Sequence, residues 1–325
     1  MIDVIVGGQY GSEAKGQLAG FISAWHSYNY VISNNGSQAG HTFVDGDYRL
    51  VTRHVPIVGV LQHTTEIIIG PAAIIDPQVL LKEIEDNALQ HRIHVHPNAA
   101  VIRTDDIMAE QASTQNIGST GKGNGSALAK KILRMGNQLA YLSTDLQPYL
   151  IGRNTYNRII QSSDDMLIEG AQGYSLSLDG PFWPYCTSRN CWVGQAMADA
   201  WAHPQQLGKT YMVIRTFPIR VAGPSGGCYP DQHEITWDEI GVTPEITTVT
   251  KKVRRVFTFS TLQVVDAVLA NRPDFLAISH LDYLDEGAVL PFIHSLSNEI
   301  KKAAGYLPKF ILGDGPDAEN WKFAE

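Results

Sequence analysis

Short runs of β-branched and aliphatic residues break off at a glycine or a polar residue, and stretches with helical spacing lie between them. This alternation restricts the chain more than any other feature. The runs are DVIVGG (3–8), YVIS (30–33), EIIIG (66–70), DMLIEG (165–170), YMVIRT (211–216), FLAISH (275–280) and KFILG (309–313). Helical patterns cover 15–27, 77–90, 124–135, 193–202, 260–271 and 289–304, the second opened by Asp76-Pro77, a good N-cap and first-turn pair. The expected fold is α/β, a mostly parallel central sheet flanked by helices. Ligands in such folds collect outside the carboxyl ends of the strands. No repeat, low-complexity tract or long linker interrupts 1–325, so a single domain is expected.

Of the 325 residues, 44% are hydrophobic and 18% charged, enough apolar material for a sizeable core. No run approaches the roughly 18 apolar residues of a membrane span, and the first residues lack a basic segment followed by an apolar one. The thiols Cys186, Cys191 and Cys228 have neither zinc-ligand spacing nor an even count. A cytoplasmic location with reduced cysteines is the expectation. A net charge of -8 argues against duplex nucleic acid as the main partner. HRIHVH (91–96) offers His94 and His96 as a metal pair, but an alternating strand edge is the commoner source of that pattern.

The loop after the first run, GGQYGSEAKGQ (7–17), has glycines around a lone lysine, Lys15, and leads into a helix. That is the arrangement that cradles phosphate: backbone N–H groups, a cation and a helix N-terminus converge on one anion. It departs from GxxxxGK[ST] because Ala14 precedes the lysine and Gly16 follows it. A structural tight turn is the alternative. In NNGSQAGHTF (34–43), His41 follows Gly40 directly after a strand, where it can face a ligand or serve as a structural histidine. NIGSTGKGNGSALAKKILR (116–134) supplies Ser119, Thr120 and a helix start; alone it reads as a surface loop. EGAQG places Gln172 at the sheet edge, where an amide can bond a purine or phosphate edge. In EITTVTKKVRRVF (245–257) hydroxyls beside guanidinium forks suit a small dianion, against a solvated face or a nucleic-acid patch. SHLDYLD (279–285) and LGDGPD (312–317) follow late strands, as base-recognition loops do.

GQYGSEAKG, AGHT, IGSTGKG, EGAQG, YCTS, TTVTKKVRR, LDYLD and GPD, in this order, resemble the adenylosuccinate synthetase family, and the resemblance covers most of the chain. YCTSRNC, GGCYPDQ and the serine in the first loop are more similar to its phage branch, the N6-succino-2-amino-2'-deoxyadenylate synthetases, than to the cellular enzymes. The resemblance implies the family's P-loop-NTPase-like fold and a two-step ligation. The γ-phosphate of a nucleoside triphosphate passes to O6 of a 6-oxopurine nucleotide, and the amine of L-aspartate then displaces phosphate at C6.

For the phage branch it implies dGMP as the purine, ATP or dATP as the donor, Mg²⁺, and action in the host cell cytoplasm. Lys15, with Gly11 and Gly16, would bind triphosphate; His41 would act as acid at the phosphoryl oxygens, with Thr42 beside it; and Gly40, together with Ser12, would hold Mg²⁺. Ser12, Gln38, Ser119, Thr120, Gln172 and Thr187 would contact dGMP, and Arg134 would reach the site from the other subunit of a homodimer. Thr248, Thr250, Lys252 and Arg254 would bind aspartate, and His280, Asp282, Gly313, Gly315 and Pro316 the donor base.

Two departures from the cellular pattern bear on substrate choice. Ser12 stands where cellular members carry an aspartate that serves as base and Mg²⁺ ligand, roles a serine performs poorly. The smaller, uncharged side chain suits a purine with a 2-amino group. His280 stands where the cellular GTP-reading motif has lysine, which favours ATP or dATP, while the retained Asp282 keeps GTP open. The alternatives are a cellular-type enzyme acting on IMP with GTP and a catalytically inactive purine-nucleotide sensor.

Overall fold

A computed structural model describes residues 1–114, 117–135, 138–247 and 252–324. Among these residues the apolar runs form one nine-stranded sheet. Its strands are β1 (Ile2–Gly7), β2 (Tyr30–Ser33), β3 (Glu66–Ile69), β4 (Ile93–Val95), β5 (Met166–Glu169), β6 (Leu207–Arg215), β7 (Phe275–Ser279), β8 (Lys309–Gly313) and β9 (Trp321–Phe323). The spatial order is β9-β8-β7-β6-β1-β5-β2-β3-β4. All neighbours run parallel except β9, which is antiparallel to β8.

All seven strands read from the sequence lie in this sheet. The pattern missed β4, a three-residue piece inside the histidine cluster, and β9, a short edge strand with little apolar alternation. There His94 Nε2 lies 2.8 Å from Glu66 Oε2, and His96 Nδ1 accepts from Asn98 N at 3.1 Å.

Both faces are covered, as a parallel sheet requires. Successive strand residues point to opposite sides, so Ile5, Val31, Ile67 and Val213 pack with α1 (Lys15–Ser23), α2 (Ile57–Leu61) and α3 (Pro77–Asp86). Val4, Val6, Ile32, Met212 and Ile214 pack on the other side with α6 (Arg153–Ile160), α7 (Val193–Asp199), α8 (Thr261–Asn271) and α9 (Glu286–Ala304). Asp76 caps α3 as expected, its carboxylate accepting from Gln78 N and Val79 N. That helix stops before position 90 because Ala88 takes φ 52, a left-handed conformation that cannot continue it. The all-apolar α2 has no helical period, α4 (Thr104–Ser113) is mostly polar, and α6 spans only eight residues, with Tyr156 and Ile160 as its buried face.

The chain places β2, β3, β4 and β5 on one side of β1, then crosses to β6, β7 and β8 on the other. The switch point is therefore at β1. The ends of β1, β2, β5, β6 and β7 open on one edge, where Ser33 pairs with Glu169 and Arg215 with Ser279.

Candidate active site

The loop between β1 and α1 is held open by its own carboxylate. Gly11 (φ 96) and Ala14 (φ 67) both adopt left-handed backbone, which turns Glu13 inward. Glu13 Oε1 accepts from Gln9 N at 3.1 Å and Gly11 N at 2.5 Å, and Oε2 lies 3.0 Å from Lys15 Nζ. Lys15 Nζ also donates to Gly11 O at 2.9 Å. An anion and a cation are thus stored inside the loop, and Glu13 is not available to a ligand as a base. Backbones pack tightly around it. A Cβ on Gly11 would lie 2.9 Å from Gln172 Cα, and one on Gly16 would lie 2.6 Å from Thr42 O. These two glycines bring Gln172 and the hairpin carrying His41 and Thr42 (His41–Asp45, Tyr48–Thr52) against the phosphate loop.

His41 is buried beside this loop. Its Nε2 lies 3.4 Å from Asn35 Nδ2 and its Nδ1 3.8 Å from Glu169 Oε2. Burial, then the Lys15 ammonium, push His41 down to about 3, so the ring is neutral. Glu169 ends β5 with 1% exposure, accepting from Ile57 N at 3.0 Å and Val58 N at 2.8 Å. Burial outweighs those two bonds and pushes it up to about 7. Burial thus favours the neutral form of both groups.

Ser12 faces two arginines. Its Oγ accepts from Arg254 Nη1 and its carbonyl from Arg215 Nη1, each at 3.0 Å. Arg254 N in turn bonds Glu245 O at 2.9 Å, and Arg215 Nη2 reaches Glu245 Oε1 at 2.5 Å. Lys252 is exposed; its backbone N donates to Thr247 Oγ1 at 3.0 Å. Thr248 and Thr250 lie outside the described residues.

Gly40 is exposed with open space around it, and Gln38 Oε1 lacks a partner among the described residues. Ser119 Oγ bonds Glu110 Oε1 at 2.9 Å, Thr120 is half-buried, and Thr187 N bonds Leu176 O at 2.9 Å. Arg134 is exposed just beyond α5 (Asn124–Ile132), at φ 57. His280 sits in left-handed backbone with Nδ1 2.8 Å from Ser279 Oγ, while Asp282 and Pro316 are exposed. Gly313 lies under the Trp321 ring, and Gly315 (φ 150) packs on Asn320.

A glycine-rich loop with an inward lysine, a neutral buried histidine and an arginine-lined wall, all at a sheet switch point, suit a site that handles phosphate and carboxylate together. The family model for adenylosuccinate synthetase matches residues 4–147 and 139–295. The chain belongs to the adenylosuccinate synthetase family. Among relatives within this family, the N6-succino-2-amino-2'-deoxyadenylate synthase of Vibrio phage phiVC8 is 34% identical over 330 residues, covering 97% of this chain and 96% of that protein. The adenylosuccinate synthetase of Pyrococcus horikoshii is 29% identical over 335 residues, covering 98% and 96%. In structure, the cyanophage S-2L succinoaminodeoxyadenylate synthetase bound to dGMP and dATP as an energy donor superposes with a TM-score of 0.89. It is 31% identical, with 99% of this chain and 95% of that chain covered.

For an adenylosuccinate synthetase family chain, three residues went unread in the sequence: buried Glu169 and Arg215, and half-buried Glu245. Glu169 was visible only as the last residue of an apolar strand, and its amide donors lie 112 and 111 residues away. Arg215 and Glu245 meet across 30 residues with no shared motif.

Proposed function

We propose that this chain joins L-aspartate to C6 of dGMP with hydrolysis of ATP or dATP, giving N6-succino-2-amino-2'-deoxyadenylate, the nucleoside diphosphate and phosphate. The observation that carries the choice of purine is Ser12. An uncharged hydroxyl heads the phosphate loop, with one lone pair taken by Arg254 and the other free to accept from a purine 2-amino group. The phage relatives support it by name, and the cyanophage structure by the dGMP and dATP it holds.

In this reading Lys15 leaves Glu13 for the triphosphate, and the first-turn amides of α1 add to its field. Transfer of the γ-phosphoryl group to O6 breaks its bond to the β-phosphate oxygen, which leaves with the nucleoside diphosphate, and the N1 proton passes to solvent. Attack of the aspartate amine at C6 then expels phosphate and releases a proton. Neutral His41, backed by Glu169, faces the transferring group, and fixed dipoles there supply much of the rate. Arg254 and Lys252 hold the aspartate carboxylates. Mg²⁺ fits the exposed Gly40 carbonyl together with nucleotide phosphates, which would neutralise charge on the phosphoryl group. It fits Ser12 poorly, because that oxygen faces a guanidinium. Exposed Asp282 keeps a guanine donor in the test, although the half-buried His280 ring turns to Ser279.

We read 1–325 as one unit, since one sheet runs from Ile2 to Phe323, working as a homodimer where phage nucleotides are made, in the host cytoplasm. Arg134 lies among Ile132 (67% exposed), Leu133 (69%) and Met135 (54%), an apolar surface suited to a second copy.

The test is phosphate release with dGMP, aspartate and Mg²⁺ against ATP, dATP and GTP. Release that requires both dGMP and aspartate, and favours an adenine donor, supports the reading. Nucleotide binding without release would make the chain a sensor.

A further inference from the structure

Arg215 joins segments that are far apart in the sequence. Its backbone is clamped by the buried Gln9 side chain, with Arg215 N to Gln9 Oε1 at 2.8 Å and Gln9 Nε2 to Arg215 O at 3.2 Å. Its guanidinium holds Ser12 O and forks onto both Glu245 oxygens, at 2.5 and 3.4 Å. Glu245 O receives Arg254 N, and Arg254 returns to Ser12 Oγ, closing a ring of four residues. One spoke leaves this ring. Tyr283 OH donates to Glu245 Oε1 at 3.3 Å, while its ring lies 5.8 Å from the Arg215 guanidinium and 5.0 Å from the His280 ring.

The arginine side chain is 2% exposed and the glutamate 28%. A buried ion pair is weak evidence for stability, because desolvation offsets much of its attraction; its best-attested use is to fix the register of the segments it joins. Here those segments are the phosphate loop, the segment carrying Arg254, and the loop carrying His280 and Asp282.

We propose that Arg215, Glu245 and Tyr283 are positioning residues that couple the donor-nucleotide site to the dicarboxylate site, so that occupancy of one tightens the other. This rests on the ligand assignments made above. A nucleotide that orders the 280–283 loop fixes Tyr283 on Glu245, which fixes Arg254. By linkage a dicarboxylate on Arg254 must strengthen nucleotide binding by the same factor.

The experiment is equilibrium titration of the full chain with ADP, dGMP present throughout, with and without saturating succinate, which has the carboxylates of aspartate and no amine to react. Succinate should tighten ADP about fivefold or more in the unaltered protein. In Tyr283→Phe, which loses only the hydroxyl, the two affinities should converge while each ligand still binds alone. Coupling retained in Tyr283→Phe, or absent from the unaltered protein when both ligands bind, would overturn the inference. Failure of succinate or ADP to bind at all would instead overturn the ligand assignments, and the inference with them.

Discussion

Arg254 donates from Nη1 to Ser12 Oγ at 3.0 Å, tying the arginine proposed to hold the substrate dicarboxylate to the loop serine proposed to read the purine. The bond is charge-assisted on one side only, so it orients Arg254 without neutralising it.

An aspartate at position 12 would neutralise it. Ser12→Asp puts a carboxylate within reach of Arg254, and hydrogen bonds between charged groups contribute about 1.5–3 kcal/mol. The KM for aspartate should rise about tenfold or more, and the preference for dGMP over IMP should fall. Steady-state kinetics with both purines check this; unchanged dGMP turnover with no shift toward IMP would show that Ser12 does not read the purine.

Lys15 anchors Glu13 inside the loop, and its proposed duty at the triphosphate can be separated from that. Lys15→Met leaves the 1%-exposed Glu13 with backbone donors only, a loss of about 3 kcal/mol. Activity should fall by about 10²–10³-fold. Adding Glu13→Gln should restore the melting temperature and not the activity. Recovery of both would make Lys15 purely structural.

Stability should carry the mark of Glu169. Its folded-state pKa, about 7, lies above the ordinary value, so the folded protein binds this proton more tightly than the unfolded chain does. The resulting stabilisation is fully present below the unfolded value and is lost as pH rises through about 7. It amounts to about 3 kcal/mol at 1.36 kcal/mol per unit. Glu169→Gln removes the titration. Denaturant unfolding at pH 5 and pH 8 should show the variant gaining on the unaltered protein by about 2–3 kcal/mol. Parallel curves would place the proton elsewhere.

Arg134 tests the proposal of a site shared between two subunits. Arg134→Ala and Lys15→Met should each be nearly inactive, yet mixed and re-equilibrated subunits should recover about a quarter of the activity, because each hybrid dimer has one intact site. No recovery would place Arg134 in its own subunit's site or outside any site.

Much of this was legible in the chain, for identifiable reasons. Strands such as DVIVGG and YMVIRT announce themselves because buried parallel strands need uninterrupted apolar runs. The phosphate loop shows its glycines because their close approaches to Gln172 and Thr42 admit no side chain. The direction of Glu13 did not show, since it depends on the left-handed turn at Ala14, a residue with no such preference. Glu169, Arg215 and Glu245 were hidden because their partners are set by tertiary packing.

The most direct test of the central claim is a competition. The protein is given equimolar dGMP and IMP with aspartate, Mg²⁺ and dATP, and the succinylated products are identified by mass. The account predicts that N6-succino-2-amino-2'-deoxyadenylate dominates. Adenylosuccinate as the main product would contradict it.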